Sequence, residues 1–271
     1  MTDIKLLCNT LSQITIDSEL TFTKQMFNDK YGHLAIPVLF DTAFRTLLDF
    51  SSTSTTDIRY FSTELRLLVG DESHHQPLPL NDLFDHRSNS TSTYSHYAVK
   101  KGQLNQMQTS IIFNDWHDSY TQSEENIAPL IVKNSHRDSL DPLQCNEMNR
   151  GRWFYVIEGF KIYFIYPRQY FSVIKGVTSS NFKTINELIN GITSNLYKPA
   201  ICIQRAGELL FIPGSYYYAT AYIKATIEIN RHFINEINYD DVRAFILGQG
   251  SREEIEYIDK VIANGFKNNI S

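Results

Sequence analysis

The sequence predicts a mainly β fold, with helices before and after the β region in the chain. Short runs of aromatic and β-branched residues recur at 111–113, 129–132, 152–157, 161–167, 200–204, 208–213 and 225–230. Turn residues such as Gly159, Gly207 and Pro213 separate these runs. Many short strands with regular turn signals between them are typical of an all-β barrel or sandwich. Apolar residues at helical spacing before and after this region predict the flanking helices.

Composition limits the class of protein. The chain has 271 residues, a hydrophobic content of 42% and a formal net charge of −5, and its basic residues are scattered. Scattered basic residues on an acidic chain argue against a nucleic-acid partner. The N-terminus lacks a secretory pattern and no apolar run reaches the length of a membrane span, so we expect a soluble, cytoplasmic protein. The three cysteines lie far apart, which argues against a disulfide framework.

Two regions precede the C-terminal tail. Residues 1–90 are expected to be a mostly helical N-terminal part, with a short strand at 38–40 and a short helix at 78–84. Residues 91–235 are expected to form the β core, with one helix inserted at 181–192.

The tail, residues 236–271, is expected to form two helices. Gly248 or Gly250 predicts the end of the first, and Ser251 with Glu254 has the spacing of a capping box at the start of the second. The second helix carries an apolar stripe made of Ile255, Ile258, Val261, Ile262 and Phe266. Such a stripe needs a surface to cover, either the chain's own β core or the same helix of a second copy. We therefore expect a homodimer or a protein partner bound through these helices.

Three segments in the β region share their order and spacing with one known family. They are Ser139–Asn146 (SLDPLQCN), Arg152–Pro167 (RWFYVIEGFKIYFIYP) and Gly207–Tyr218 (GELLFIPGSYYY). Together they resemble the Jumonji-C and cupin-like family of 2-oxoglutarate oxygenases, over roughly residues 20–235. The resemblance implies a double-stranded β-helix, the cupin or jelly-roll barrel, as the core. It also implies an iron centre of two histidines and one carboxylate, and dimerisation through C-terminal helices.

The positions that the resemblance assigns to the metal triad hold other residues. They are Gln144, Asn146 and Tyr218. Two neutral amides and a phenol whose ordinary pKa is about 10 are poor ligands for Fe(II). We therefore expect no metal, no 2-oxoglutarate and no catalytic residue in this chain.

Four further residues are candidates for ligand binding under the same resemblance. Lys161 occupies the position whose lysine pairs with the distal carboxylate of 2-oxoglutarate in relatives, which suggests a small carboxylate ligand. An alternative for Lys161 is a stem packed on aromatic residues with its amine reaching solvent. Phe154 and His232 occupy positions that are often polar around the cofactor, and Tyr216 is a candidate for lining a cavity.

The function expected from these residues is binding, by a catalytically degenerate Jumonji-like protein. It would act as a partner subunit or as a small-ligand receptor in the former cofactor cavity. The alternative is an active Fe(II)/2-oxoglutarate oxygenase, a hydroxylase with an unusual metal site. His136, Asp138 and His232 form the one displaced triad that the sequence offers for it. A structural module of a larger assembly is a third possibility.

Overall fold

A computed structural model describes most of the β region and the C-terminal tail. The described residues are 11–18, 23–41, 66–68, 77–79, 94–99, 115–120, 130–170, 182–194 and 196–269. Their strands are β1 Thr15–Asp17, β2 Val38–Phe40, β3 Arg66–Leu68, β4 Pro77–Pro79, β5 Tyr94–Val99, β6 Leu130–Ser135, β7 Leu140–Cys145, β8 Gly151–Glu158, β9 Phe160–Pro167, β10 Ala200–Arg205, β11 Leu209–Ile212, β12 Tyr216–Tyr222 and β13 Thr226–Phe233. Their helices are α1 Lys24–Phe27, which continues into a π-helical turn at Asn28–Gly32, α2 Trp116–Tyr120, α3 Ile185–Ser194, α4 Tyr239–Gln249 and α5 Arg252–Asn269. None of these helices is both long enough and apolar enough to cross a membrane.

The strands form two sheets. The large sheet has the order β1-β2-β11-β8-β13-β6-β5-β3-β4, and the small sheet has the order β10-β9-β12-β7. β1 and β2 pair in parallel, and the other paired strands of the described chain are antiparallel. The last eight strands pair in a nested way: β9 with β10, β8 with β11, β7 with β12, and β6 with β13. The expectation of a β-rich core with flanking helices is thus confirmed at the level of two mainly antiparallel sheets.

The two sheets face each other across a shared layer of side chains, which we call the central cluster. The large sheet contributes Leu39, Phe154, Leu210 and Ile212, and the small sheet contributes Tyr163, Ile165, Cys202 and Tyr218. Strand residues alternate between faces, so each sheet sends every second residue into this layer. The space between the sheets is therefore filled by packed side chains at these positions.

The outer face of the small sheet is covered by α3. Leu188, Ile189 and Ile192 of the helix pack against Ile162 and Phe164 of β9. The helix predicted at 181–192 is confirmed, shifted by a few residues towards the C-terminus. Alternate residues of β9 point away from the large sheet, and α3 buries the apolar side chains on that face.

The two C-terminal helices are confirmed, with their predicted boundaries. Gly250 follows α4, and the amide of Gly250 donates to the carbonyl of Ile246. Ser251 and Glu254 form the predicted capping box, because each backbone N–H donates to the other side chain, at 2.7 and 3.2 Å.

The apolar stripe of α5 is covered within the chain. Ile258, Val261 and Ile262 are buried against residues of α2 and α4 and the end of β13, namely Trp116, Ile234, Val242 and Ile246. Phe266 is 40% exposed and packs on Trp116. The need to cover this stripe is therefore met without a second copy, and the expected homodimer gains no support from it.

The described part of residues 1–90 contains α1 with its π-helical turn and four short strands, so the expectation of a mostly helical region stays a prediction. Its strands β1 and β2 lie at one edge of the large sheet, and β3 and β4 lie at the other. The strand predicted at 38–40 is confirmed as β2, whereas Pro77–Pro79 is a strand where a helix was predicted to begin. Proline, which lacks an N–H, is tolerated in an edge strand such as β4. Residues 1–10 and 80–84 lie outside the described residues.

Candidate functional site

The structure brings together the three positions that the resemblance assigns to a metal triad. Tyr218 of β12 lies directly opposite Gln144 of β7, and directly opposed residues of an antiparallel pair project from the same face. Asn146 follows the last residue of β7, and its Oδ1 accepts a 3.0 Å hydrogen bond from the hydroxyl of Tyr218. Tyr218 is fully buried in the central cluster, so the three positions meet between the sheets where β7 ends.

Asn146 is held by the turn that joins β11 to β12. Its Nδ2 donates to the carbonyl of Ile212 at 3.0 Å, and the side chain is buried. The turn approaches closely because it contains Gly214, where a Cβ would overlap the backbone of Asn149. Only glycine fits there, which accounts for the Pro-Gly pair in the third segment of the resemblance.

The hydroxyl of Tyr218 also accepts a hydrogen bond, from a partly buried arginine. Arg152 Nη1 donates to it at 3.1 Å, while Nε and Nη2 of the same guanidinium donate to Asn230 Oδ1 at 3.1 and 2.5 Å. The guanidinium carbon lies 4.8 Å from the centre of the Phe154 ring. The arginine thus contributes a positive charge next to the positions assigned to a metal dication.

The network continues to a buried ion pair. Asn230 Nδ2 donates to Glu228 Oε1 at 3.1 Å, and Glu228 Oε2 is paired with Lys161 Nζ. Lys161 also donates to the hydroxyl of Tyr163 at 2.5 Å. Both charged side chains are buried, and the ammonium lies over aromatic rings, 5.3 Å from that of Phe154. We call the connected set the interior network: Asn146, Tyr218, Arg152, Asn230, Glu228 and Lys161.

Neither sequence-based expectation for Lys161 describes what the structure contains. Its amine does not reach solvent, because the whole side chain is buried. The amine does contact an anion between the sheets, but that anion is the carboxylate of Glu228 in the same chain. A small carboxylate ligand at Lys161 would have to displace Glu228.

Burial and neighbouring cations decide the charge state of His232. It lies opposite Arg152 on β13, and its Nδ1 has no hydrogen-bond partner among the described residues. Burial lowers the pKa of His232 well below its ordinary value, and the charges of Arg152 and Arg150 lower it further. The imidazole is therefore neutral near physiological pH.

The aromatic candidates serve as packing around the network. Phe154 is buried in the central cluster, and its ring centre lies 5.6 Å from that of Tyr218. Tyr216 packs against the same cluster, and burial raises its pKa. Burial also raises the pKa of Tyr163, with a smaller contribution from Tyr222, so that phenol stays protonated.

These residues do not fit the iron centre that the resemblance implies. The Oδ1 of Asn146 accepts the hydroxyl hydrogen of Tyr218, and its Nδ2 is bound to a backbone carbonyl. The phenol is neutral, since it donates that hydrogen, and it accepts one from Arg152. A dication at this place would meet neutral oxygens and a guanidinium rather than a carboxylate. No cluster of three or more His, Cys, Asp or Glu side chains suited to a metal occurs among the described residues.

The displaced triad is not assembled. His136 and Asp138 lie on the turn between β6 and β7, and Asp138 is exposed and paired with Arg137 at 3.3 Å. Ser135, next to His136, pairs with Thr226 at the start of β13, whereas His232 lies six residues further along that strand. Six residues of strand span about 20 Å, which is too far for a shared metal ion.

Sequence reasoning missed three members of the interior network. Arg152, Asn230 and Glu228 come from the outer ends of two runs that were read only as strands. The available signal was the alternation in β13, where Glu228, Asn230 and His232 place a polar side chain at every second residue. In a strand this spacing puts all three on one face, and a polar face within a β core indicates a buried network.

Comparison with known proteins does not assign the chain to a family. No model of a known protein family matches the chain, and no curated protein is significantly similar to it.

Proposed function

We propose that this chain is a catalytically degenerate Jumonji-like protein that acts by binding another molecule. The observation that carries the proposal is the interior network, which occupies two of the three positions assigned to the metal triad, Asn146 and Tyr218, and the lysine assigned to the cosubstrate. Each side chain of the interior network has a hydrogen-bond or ion-pair partner within the chain. The site is thus built as a self-contained polar core.

The strand pairing supports a double-stranded β-helix as the fold. With β6 to β13 counted as strands one to eight, the large sheet includes the order six-three-eight-one, and the small sheet has five-four-seven-two. In such an arrangement the pairs one-eight, two-seven, three-six and four-five form one long antiparallel ribbon that is wound into two sheets. That winding is the jelly roll of the cupins. It also agrees with the order of the three segments that carry the resemblance.

Charge argues against the alternative of an active iron oxygenase. The family's centre supplies one carboxylate to the metal, whereas the corresponding space here holds the guanidinium of Arg152, hydrogen-bonded to Tyr218 at 3.1 Å. The one buried carboxylate of the network, Glu228, is neutralised by Lys161. An Fe(II) ion would therefore have to break several buried hydrogen bonds without gaining an anionic ligand.

Of the two forms of binding expected from the sequence, we favour a protein partner. A small carboxylate in the former cofactor space would compete with Glu228 for Lys161, and Glu228 is held at an effectively fixed position on β13 of the facing sheet. The homodimer and the cytoplasmic location stay predictions.

Turnover of 2-oxoglutarate tests the proposal. The purified protein, loaded anaerobically with Fe(II) and then given 2-oxoglutarate, ascorbate and oxygen, is expected to form no succinate above a metal-free control. The same assay on Arg152→Gln shows whether the arginine alone suppresses an intact centre. Succinate formation by the native chain that needs Fe(II) and is lost in Tyr218→Phe would contradict the proposal and favour an oxygenase with an unusual metal shell.

A further inference from the structure

A cavity of about 250 Å³ lies at one edge of the space between the sheets. The chain crosses from one sheet to the other at this edge. Ile14 N donates to Ile201 O of β10 at 3.0 Å, and the next three residues form β1 and pair with β2. None of the six residues of the interior network lines the cavity. It is therefore a separate site from the former metal centre.

The inner wall of the cavity is apolar. Ile14, Leu39 and Cys202 line it, and all three belong to the central cluster. Burial raises the pKa of the Cys202 thiol, which therefore stays protonated and contributes as a small apolar group. This wall suits the hydrocarbon part of a ligand.

The rim carries two carboxylates. Asp41 Oδ2 accepts a 2.9 Å hydrogen bond from Ser18, while Asp41 Oδ1 is buried and has no hydrogen-bond partner among the described residues. Glu208 Oε1 lies 3.7 Å from Nη1 of Arg205, whose side chain is 63% exposed. Burial raises the pKa of Glu208, and the charge of Asp41 adds to this effect, whereas Arg205 lowers the pKa. The residues that line the cavity thus include two carboxylates and one guanidinium, an excess of one negative charge.

The size and the charge of the cavity together define a ligand class. A cavity of about 150 Å³ holds benzene, so a cavity of about 250 Å³ leaves room for a ring and a short chain. An ammonium group offers three donors and a positive charge, which complements the excess negative charge of the rim. A neutral apolar molecule would not compensate this charge, and the excess disfavours a carboxylate. We propose that this cavity binds a small primary amine with an apolar body of about the size of a phenyl ring. The proposal does not depend on the Jumonji resemblance.

Three probes with one apolar body and different head groups test it: 2-phenylethylamine, 2-phenylethanol and phenylacetate. Their binding to the full chain is measured by ligand-observed NMR titration at pH 7. We expect the amine to bind at least about tenfold more tightly than the alcohol, since a hydrogen bond to a charged group is worth that much. Phenylacetate is expected not to bind. Equal binding of all three probes, or binding of none, would overturn the proposal.

Variants at the rim locate the site. Asp41→Asn keeps an acceptor for Ser18 and removes the charge, and it is expected to weaken the amine about tenfold. Ile16, which lines the cavity and is 50% exposed, gives a second variant that leaves the core intact. Ile16→Lys places an ammonium at the rim, and it is expected to abolish binding of the free amine. Glu253→Gln, at an exposed position of α5, is the matched control and should bind like the native chain. Unchanged amine binding by both rim variants would show that the amine binds elsewhere.

Discussion

The two faces of strand β9 are built on different principles. Ile162 and Phe164 point to α3 and pack with Leu188 in a layer that holds no charged side chain. Lys161 points the other way and is buried with Glu228 of the large sheet. Apolar burial stabilises the first face in proportion to area, whereas burying an ion pair often gives no net gain over apolar side chains of similar volume. Stability therefore accounts for the face towards α3. The polar face needs another reason, and the proposed degeneration of a metal and cosubstrate site would supply one.

The largest expected effect is on the polar face. Glu228→Ala leaves the ammonium of Lys161 buried without its carboxylate, which should lower the free energy of unfolding by about 3–5 kcal/mol. Urea unfolding followed by circular dichroism measures this. The double replacement Lys161→Met with Glu228→Leu should recover most of the loss. If the double variant is less stable than Glu228→Ala, the ion pair is a main source of stability and the contrast between the faces is lost.

A truncation on the apolar face should behave as a simple cavity. Leu188 of α3 is fully buried, so Leu188→Ala is expected to lower the free energy of unfolding by about 3 kcal/mol. Asn186→Ala, at an exposed position of the same helix, is the control and should have little effect. A loss in Leu188→Ala as small as in the control would mean that α3 does not cover the sheet in solution.

Two tyrosines compare the faces with the same chemical change. Tyr218→Phe removes the donor to Asn146 and the acceptor for Arg152, and should cost about 1–3 kcal/mol. Tyr166 lies on the α3 side, and its hydroxyl is buried without a hydrogen-bond partner among the described residues. Tyr166→Phe should therefore be neutral or stabilising. Equal effects of both replacements in thermal unfolding would remove the basis for treating the network as specific.

The smallest expected effect is the pH dependence from His232. Its folded pKa is lowered by burial, Arg152 and Arg150, so below about pH 6.5 the unfolded chain takes up a proton that the folded chain does not. Stability from this group is thus complete above pH 6.5 and falls on acidification, by up to about 1.4 kcal/mol per pH unit. His232→Gln should flatten the change in unfolding midpoint between pH 6.5 and 5.5. The same slope in the variant and in the native chain would exclude His232 as its source.

Local signals were read correctly from the sequence, and signals that depend on strand neighbours were not. Residues close together in the sequence predict both the capping box of Ser251 and Glu254 and the end of α4 at Gly250. Pro77–Pro79 reads poorly as a strand because proline cannot donate to a sheet, and only its edge position makes the assignment possible.

The candidate site also contains contacts that depend on strand neighbours and could not be predicted from the sequence. Gln144, Asn146 and Tyr218 were selected because three segments resemble one family, and the structure brings them together. The pairing of Lys161 with Glu228 joins β9 of one sheet to β13 of the other, and nothing within either strand predicts it. Such a network depends on how the sheets face each other, which a single sequence does not encode locally.

The most direct test of the central claim is a titration with Mn(II), an air-stable stand-in for Fe(II). Free Mn(II) has a strong electron paramagnetic resonance signal that weakens when the ion binds protein. The native chain should leave this signal at its buffer value up to millimolar protein, because Arg152 and the Asn146–Tyr218 bond occupy the positions that the resemblance assigns to metal ligands. The combined variant Gln144→His, Asn146→Asp and Tyr218→His should weaken the signal if the scaffold keeps the family's geometry. Stoichiometric binding of Mn(II) by the native chain, lost in Tyr218→Phe, would contradict the account.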